Sequence, residues 1–220
     1  MIVLALDTAL AACQVAVWED GRVLAATSQP MTRGHQERLA PMAAETMAQA
    51  QLGFDRLDRI AVTVGPGSFT GLRVGLAFAK GLALALDRPC IGVGTLEALA
   101  ASAGPADLVA AAIDAQRGRI YLQAFVDGAP AMAPDGLEAA EAAARLAELY
   151  GGGEAILVGP GAPLLEGVIA GARLDPRPAP DCVALARLAA VRRAPFAPPR
   201  PLYLRAADAR TLAERAADAP

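Results

Sequence analysis

Histidine is almost missing from this chain: His35 is the only one. A zinc centre needs several nitrogen or sulfur ligands at short spacing, and no cysteine or second histidine stands near His35, so a structural or catalytic zinc site is not expected. A hydrolytic triad would have to use the same residue as its base, which leaves a peptidase reading through Ser68, His35 and an aspartate without supporting spacing. Cysteine is scarce too. Cys13, Cys90 and Cys182 are odd in number, far apart and each set in an apolar run, the pattern of buried free thiols in a reducing compartment rather than of disulfides. Basic charge is not in excess. With a net charge of −3 and a pI near 5.2, no positive field would hold nucleic acid by counterion release, so any RNA contact is expected through a partner. Long apolar runs are missing as well: the longest, 74–86, is interrupted by Lys80 and falls short of the roughly 20 residues a membrane helix needs. The first residues run straight into Ile2-Val3-Leu4-Ala5-Leu6, with no basic region or cleavage site. A cytoplasmic protein without membrane contact is expected.

What is present is glycine in a telling place. In Gly65-Pro66-Gly67-Ser68-Phe69-Thr70-Gly71-Leu72-Arg73-Val74-Gly75, the glycines follow a β-branched run, Ile60-Ala61-Val62-Thr63-Val64, and precede helical spacing through Leu86. That is a strand-to-helix turn. It can aim backbone N–H groups at an anion, or it can serve only as a tight connection that lets another stretch of backbone come close. A phosphate-cradling loop would need Lys and Ser or Thr after Gly71; a dinucleotide fingerprint would need glycine at Thr70; a serine elbow would need glycine at Pro66 and Thr70. None of the three fits.

In chain order, strands are expected at 2–6, 13–18 and 22–25 around an Asp20-Gly21 turn, then a helix over 36–51, the strand and glycine turn, a helix to Leu86, a strand at 90–93 and a helix from Thr95 to Ser102. Around Gly104-Pro105 the pattern restarts. The apolar run ending in Asp7 returns as 109–114 ending in Asp114, and Asp20-Gly21 returns as Asp127-Gly128, both displaced by 107 residues. Gly65-Pro66-Gly67 returns as Gly159-Pro160-Gly161 after the apolar run 155–158. Two copies of one fold are implied. Further helices are expected at 137–150, 163–172 and 183–193, and a tail of Ala and charge over 206–220 has little to bury. Domains of 1–103 and 104–205 follow.

Tandem units that each begin with a hairpin whose first strand ends in aspartate, and each carry a later strand into Gly-x-Gly, describe the actin-like ATPase layout: an α/β, ribonuclease H-like fold of two mixed-sheet subdomains. With Ala5-Leu6-Asp7-Thr8, the stretch from Gly65 to Gly75, His35-Gln36-Glu37, Asp114-Ala115-Gln116-Arg117 and Pro201-Leu202-Tyr203-Leu204-Arg205, the chain resembles the TsaB (YeaZ) family, most closely over residues 1–121. The resemblance implies a non-catalytic subunit that docks on the paralogue TsaD and, with the ATPase TsaE, supports transfer of threonylcarbamoyl to N6 of the adenosine beside the anticodon of tRNAs reading ANN codons. TsaD carries a His-x-x-x-His metal pair where this chain has Thr95-Leu96-Glu97-Ala98-Leu99. No metal is implied, and ATP or ADP, in the cleft or at a partner interface, is left open.

Asp7, Gly65, Gly67, Ser68, Asp114, Gly159 and Gly161 are the residues that would line such a nucleotide. An independent actin-fold kinase or ATPase using Asp7 and Asp114 is the alternative. The expected partner face lies on the two helices of the first half, at Leu39, Met42, Thr46, Met47, Gly71, Leu72, Gly75, Phe78 and Ala79. A second copy of the chain is expected there when TsaD is absent. The stripe of Gly71, Gly75 and Ala79 would serve a partner helix or the chain's own sheet equally well.

Overall fold

The computed structural model describes residues 1–204; the tail expected over 206–220, and Arg205 before it, lie outside the described residues. The first half runs β1 (Ile2–Asp7), β2 (Ala12–Glu19), β3 (Arg22–Pro30), α1 (His35–Gln49), β4 (Arg59–Thr63), α2 (Phe69–Leu86), β5 (Cys90–Val93) and α3 (Thr95–Ala103). The second runs β6 (Leu108–Asp114), β7 (Arg119–Val126), β8 (Ala129–Pro130), β9 (Asp135–Glu138), α4 (Ala139–Leu149), β10 (Ala155–Val158), β11 (Arg173–Asp175) and α5 (Cys182–Val191). One sheet has the order β3-β2-β1-β4-β5 and the other β11-β10-β6-β7-β8, with β9 also on β7. Read from opposite ends, the two orders match, and β1 and β6 sit at equivalent places between an antiparallel hairpin partner and a parallel strand. This is an α/β actin-like fold.

The duplication expected from the landmarks has a physical basis in each strand. β1 is buried along its whole length because it has neighbours on both edges and helices on both faces, so its sequence is continuously apolar rather than alternating. The hairpin turns take left-handed backbone at both central residues, with φ of 43° and 97° at Asp20-Gly21 and 50° and 76° at Asp127-Gly128, which Asp-Gly adopts at low cost. Helices α3 and α5 are exchanged between the halves. Leu96 and Leu99 of α3 pack with Val109, Ile113, Ile156 and Val158 of the second sheet, while Leu185, Ala186 and Ala189 of α5 pack with Val3, Ala5, Ala61 and Ile91 of the first.

Three local expectations change. The helix expected over 163–172 is only a 3-10 turn at Ala162–Leu165, because Gly167 and Gly171 take left-handed φ of 80° and 76° and leave the helical path. Residues 135–138 join β7 as β9, so the helix after them begins at Ala139. Cys13 and Cys182 are buried free thiols, whereas Cys90 is half-buried.

The larger correction concerns α1 and α2. Leu39, Met42, Thr46 and Met47 of α1, and Gly71, Leu72, Gly75 and Ala79 of α2, face the chain's own sheet and not a partner. Leu39, Met42 and Met47 of α1, with Leu76, Ala79 and Ala83 of α2, form the stripe packed on β1, β2 and β4, and burying it is what holds the helices on the sheet. A side-chain carbon at Gly75 would stand 2.6 Å from the Thr8 hydroxyl oxygen and 3.5 Å from a Val62 methyl. Gly75→Leu is therefore expected to destabilise the monomer by about 1–3 kcal/mol or more through overpacking. A fall in the urea midpoint at unchanged slope checks this; an unaltered midpoint would place Gly75 outside the core.

Candidate functional site

The expected cleft residues gather into two equivalent clusters in which the glycines pack against the chain's own backbone, while Ser68 and Asp114 stay exposed. In the first half the loop after β1 lies on the glycine turn: the Ser68 amide donates to the Ala9 carbonyl at 2.8 Å, and the Thr8 hydroxyl donates to the Gly71 carbonyl at 2.8 Å. A side chain at Gly67 would strike the Ala9 carbonyl, and one at Gly65, whose φ is 114°, would come within 2.6 Å of the Leu202 carbonyl oxygen. In the second half the Gly161 amide donates to the Ala112 carbonyl at 3.0 Å. A side chain there would lie 2.8 Å from the Ile113 carbonyl carbon, and one at Gly159 would strike Ala112. The glycines are needed for close approach of the chain to itself, and the amides of Ser68 and Gly161 are spent on it.

Asp7 is fully buried. Its Oδ1 accepts from the Thr63 hydroxyl at 2.7 Å and from the Ala9 amide at 3.1 Å, and its Oδ2 from Gln14 Nε2 at 3.4 Å, while the same Gln14 nitrogen donates to the Pro180 carbonyl at 2.7 Å. Burial pushes the carboxyl above its ordinary value, against the pull of Thr63, Ala9, Gln14 and His35. Asp114 is exposed and accepts from the amide of Gln116 at 2.7 Å, a local turn. Leu10, in the β1–β2 loop, packs on the second half's cluster of Leu99, Ile113 and Val158. These positions do not fit a metal-bound phosphate: one aspartate is sealed, the Ser68 and Gly161 amides are occupied, and a leucine stands in the loop. Of the candidates, Asp7, Gly65, Gly67, Gly159 and Gly161 are engaged in the chain's own packing, and Ser68 and Asp114 in a local cap and a local turn. The peptidase constellation does not assemble either, since Ser68 Oγ caps α2 by accepting from the Gly71 amide and the buried His35 Nε2 has no hydrogen-bond partner. Thr95 and Leu99, at the positions of TsaD's metal pair, are both enclosed.

An accessible feature of the first half is a groove of about 510 Å³ between α1 and α2. Gln36 and Ala40 line it from α1, with Phe69, Thr70, Arg73, Val74, Ala77 and Phe78 from α2. Of the earlier interface residues, Phe78 and the edge of Leu39 reach it. Long and apolar enough by composition to cross a membrane, α2 has only 33% of its length buried, and its inner stripe is seated on the sheet. The exposed remainder includes Ala77, Gly81, Leu84 and Ala85, and α1 exposes Ala40, Ala44 and Ala48. Those small residues repeat every fourth position one step round from the buried stripe; that second stripe is the sequence signal that pointed outward.

The family model described as "TsaD: tRNA N6-adenosine threonylcarbamoyltransferase" matches residues 24–179. The solved structure of YeaZ from Pseudomonas aeruginosa superposes with a TM-score of 0.79 at 32% identity, covering 92% of this chain and 99% of that one. The chain belongs to the TsaB (YeaZ) family. The TsaB protein of Escherichia coli K12 is 42% identical over 124 residues, 55% of this chain and 53% of that protein. The match to that relative and to its Haemophilus influenzae counterpart thus spans about half the length of each. An uncharacterized protein of Mycobacterium tuberculosis is 36% identical over 214 residues, 96% of this chain and 95% of its own length.

The sealed carboxyl gives a pH test. A folded-state value raised above the unfolded one means that ionising Asp7 costs stability, so this contribution is lost as pH climbs from the unfolded value through the folded one. Asp7→Asn keeps an oxygen for Thr63 and Ala9 and removes the ionisation. Its melting temperature relative to the unaltered protein is expected to rise between pH 4 and pH 7. Thermal scans at the two pH values decide, and a difference that falls with pH would mean that the native site favours the charged form.

Proposed function

We propose that this chain acts in tRNA threonylcarbamoyladenosine biosynthesis as a non-catalytic scaffold and activating subunit, docking on TsaD through the α1–α2 face and working with TsaE. The observation that carries the reading is an accessible helix face beside glycine turns packed on the chain's own backbone: Asp7 and the turn glycines are engaged in internal packing, while α2 leaves Phe69, Ala77, Gly81, Leu84 and Ala85 exposed. Exposed apolar surface of this kind is costly in water unless another chain covers it. Small residues on both helices allow axes to approach to about 8–10 Å, the spacing of packed helices. The TsaD family model matches most of this chain, which supports a partner built on the same fold and bearing the same pair of helices. A second copy of this chain would meet the face in the same way, as an isologous dimer, when TsaD is absent. The kinase alternative needs an accessible, ionised Asp7, and burial argues against it.

Gly81 supplies the experiment. It lies on the exposed side of α2, and a side-chain carbon added there meets nothing within 4 Å. Gly81→Leu is expected to leave the monomer as stable or to stabilise it by about 0.8–1 kcal/mol, since glycine is a poor helix former. The same change is expected to weaken association with TsaD by roughly tenfold or more, about 1.4 kcal/mol. Sedimentation of the two purified proteins reads the outcome, and undiminished association would put the interface elsewhere.

A further inference from the structure

After α5 the chain does not simply leave the fold. It returns across the ends of β4 and β5, where the Leu202 amide donates to the Val64 carbonyl at 2.7 Å. Two glycines make room for this strap: a side chain at Gly92 would stand 2.9 Å from Pro199 Cβ, and one at Gly65 would meet Leu202. The strap delivers Tyr203 to the mouth of the α1–α2 groove. There its ring lies 5.3 Å from that of Phe69, and Arg73 sits over the Phe69 ring, with its guanidinium carbon 3.6 Å from the centroid. Arg73 Nε reaches the Tyr203 hydroxyl at 3.4 Å.

This arrangement fixes an arginine without neutralising it. Phe69 and Tyr203 are its contacts, and among the described residues no carboxylate pairs with it. Stacking restrains a side chain that would otherwise lose much rotamer entropy on binding, and the guanidinium's remaining N–H groups form the planar fork that suits a carboxylate. The groove beside it is apolar, with Ala40, Val74, Ala77 and Phe78 exposed or half-exposed. An apolar channel whose mouth holds a restrained cation that meets no carboxylate among the described residues selects a helix that carries an apolar residue for the channel and an acidic residue for the cation.

We propose that the Phe69–Arg73–Tyr203 platform is the charge-reading end of the docking face, and that its occupant is a partner helix presenting a carboxylate beside an apolar anchor. This rests on the proposed docking of TsaD on α1 and α2. The strap is then part of the partner surface, because Tyr203 holds the arginine in place.

The test uses full-length chain and TsaD, with affinity measured across a range of salt. Arg73 is exposed, so Arg73→Glu is expected to fold, with an unchanged melting temperature. It should weaken association by roughly tenfold or more and flatten its salt dependence, with Arg73→Lys falling between. Changing the acidic residues on TsaD's matching helices to lysine, one at a time, should find one that restores binding to Arg73→Glu. Normal binding of Arg73→Glu, with Gly81→Leu still weakened, overturns the charge reading and leaves the docking face standing. Normal binding of both variants overturns the docking face as well. If Arg73→Glu lowers the affinity of the assembled complex for tRNA while association with TsaD is untouched, the arginine reads a phosphate, and the proposal is overturned in favour of RNA.

Discussion

The Ser68 amide and the Ala9 carbonyl meet at 2.8 Å, and much of the molecule's arrangement depends on that approach. It brings the β1–β2 loop down on the first turn of α2, close enough that only glycine fits at 67 and 71. Three consequences follow from one contact. Asp7 is carried under the loop, where Thr63 and Gln14 bond to it and solvent is excluded. Leu10 is pressed on the second half and fills space between the sheets. And the rotation of α2 is set, since Gly71 and Gly75 must face Thr8, which leaves Ala77, Gly81 and Ala85 pointing away.

Much of this was legible in the sequence because it depends on short-range pattern. The hairpins needed Asp-Gly turns, the central strands needed unbroken apolar runs, and the repeat of both at one displacement gave the duplication. What α2 does with its faces was not legible. Its residues are small or apolar nearly all the way round, so periodicity offers two stripes of every-fourth small residues and no polar face to choose between them. The choice was made by Thr8, more than sixty positions away, whose hydroxyl occupies the space beside Gly75. The role of the cleft was left open for a related reason: a glycine turn looks the same in sequence whether it makes room for phosphate or for another stretch of backbone. The strap was hidden too, since nothing near Tyr203 in sequence announces Phe69 or Arg73.

The exchange of α3 and α5 makes the two halves one mechanical body. Each sheet is completed by a helix from the other half, so opening a cleft between them would expose both clusters at once. Charged groups reinforce the exchange at its ends. Arg192 reaches the Glu97 carboxylate at 2.6 and 2.7 Å, joining the start of α3 to the end of α5. Arg59 Nη1 donates to the carbonyls of Ala189, Ala190 and Arg192 at 2.8–3.0 Å, satisfying the acceptors that the end of α5 leaves open, and its guanidinium lies over Phe196.

The two halves descend from one pattern but have not kept the same helices, and the difference gives the molecule a direction. In the first half α1 and α2 lie side by side with a groove between them. In the second, α4 stands where α1 does, while the counterpart of α2 has shrunk to the 3-10 turn at Ala162–Leu165. A helix pair seeking another helix pair therefore finds one such face on each chain. An isologous contact through a single face closes on itself after two subunits and cannot grow into a chain. Shortening the second α2 removes a duplicate apolar face, so under the proposed docking a contact through the α1–α2 face would join two chains and would not string many together.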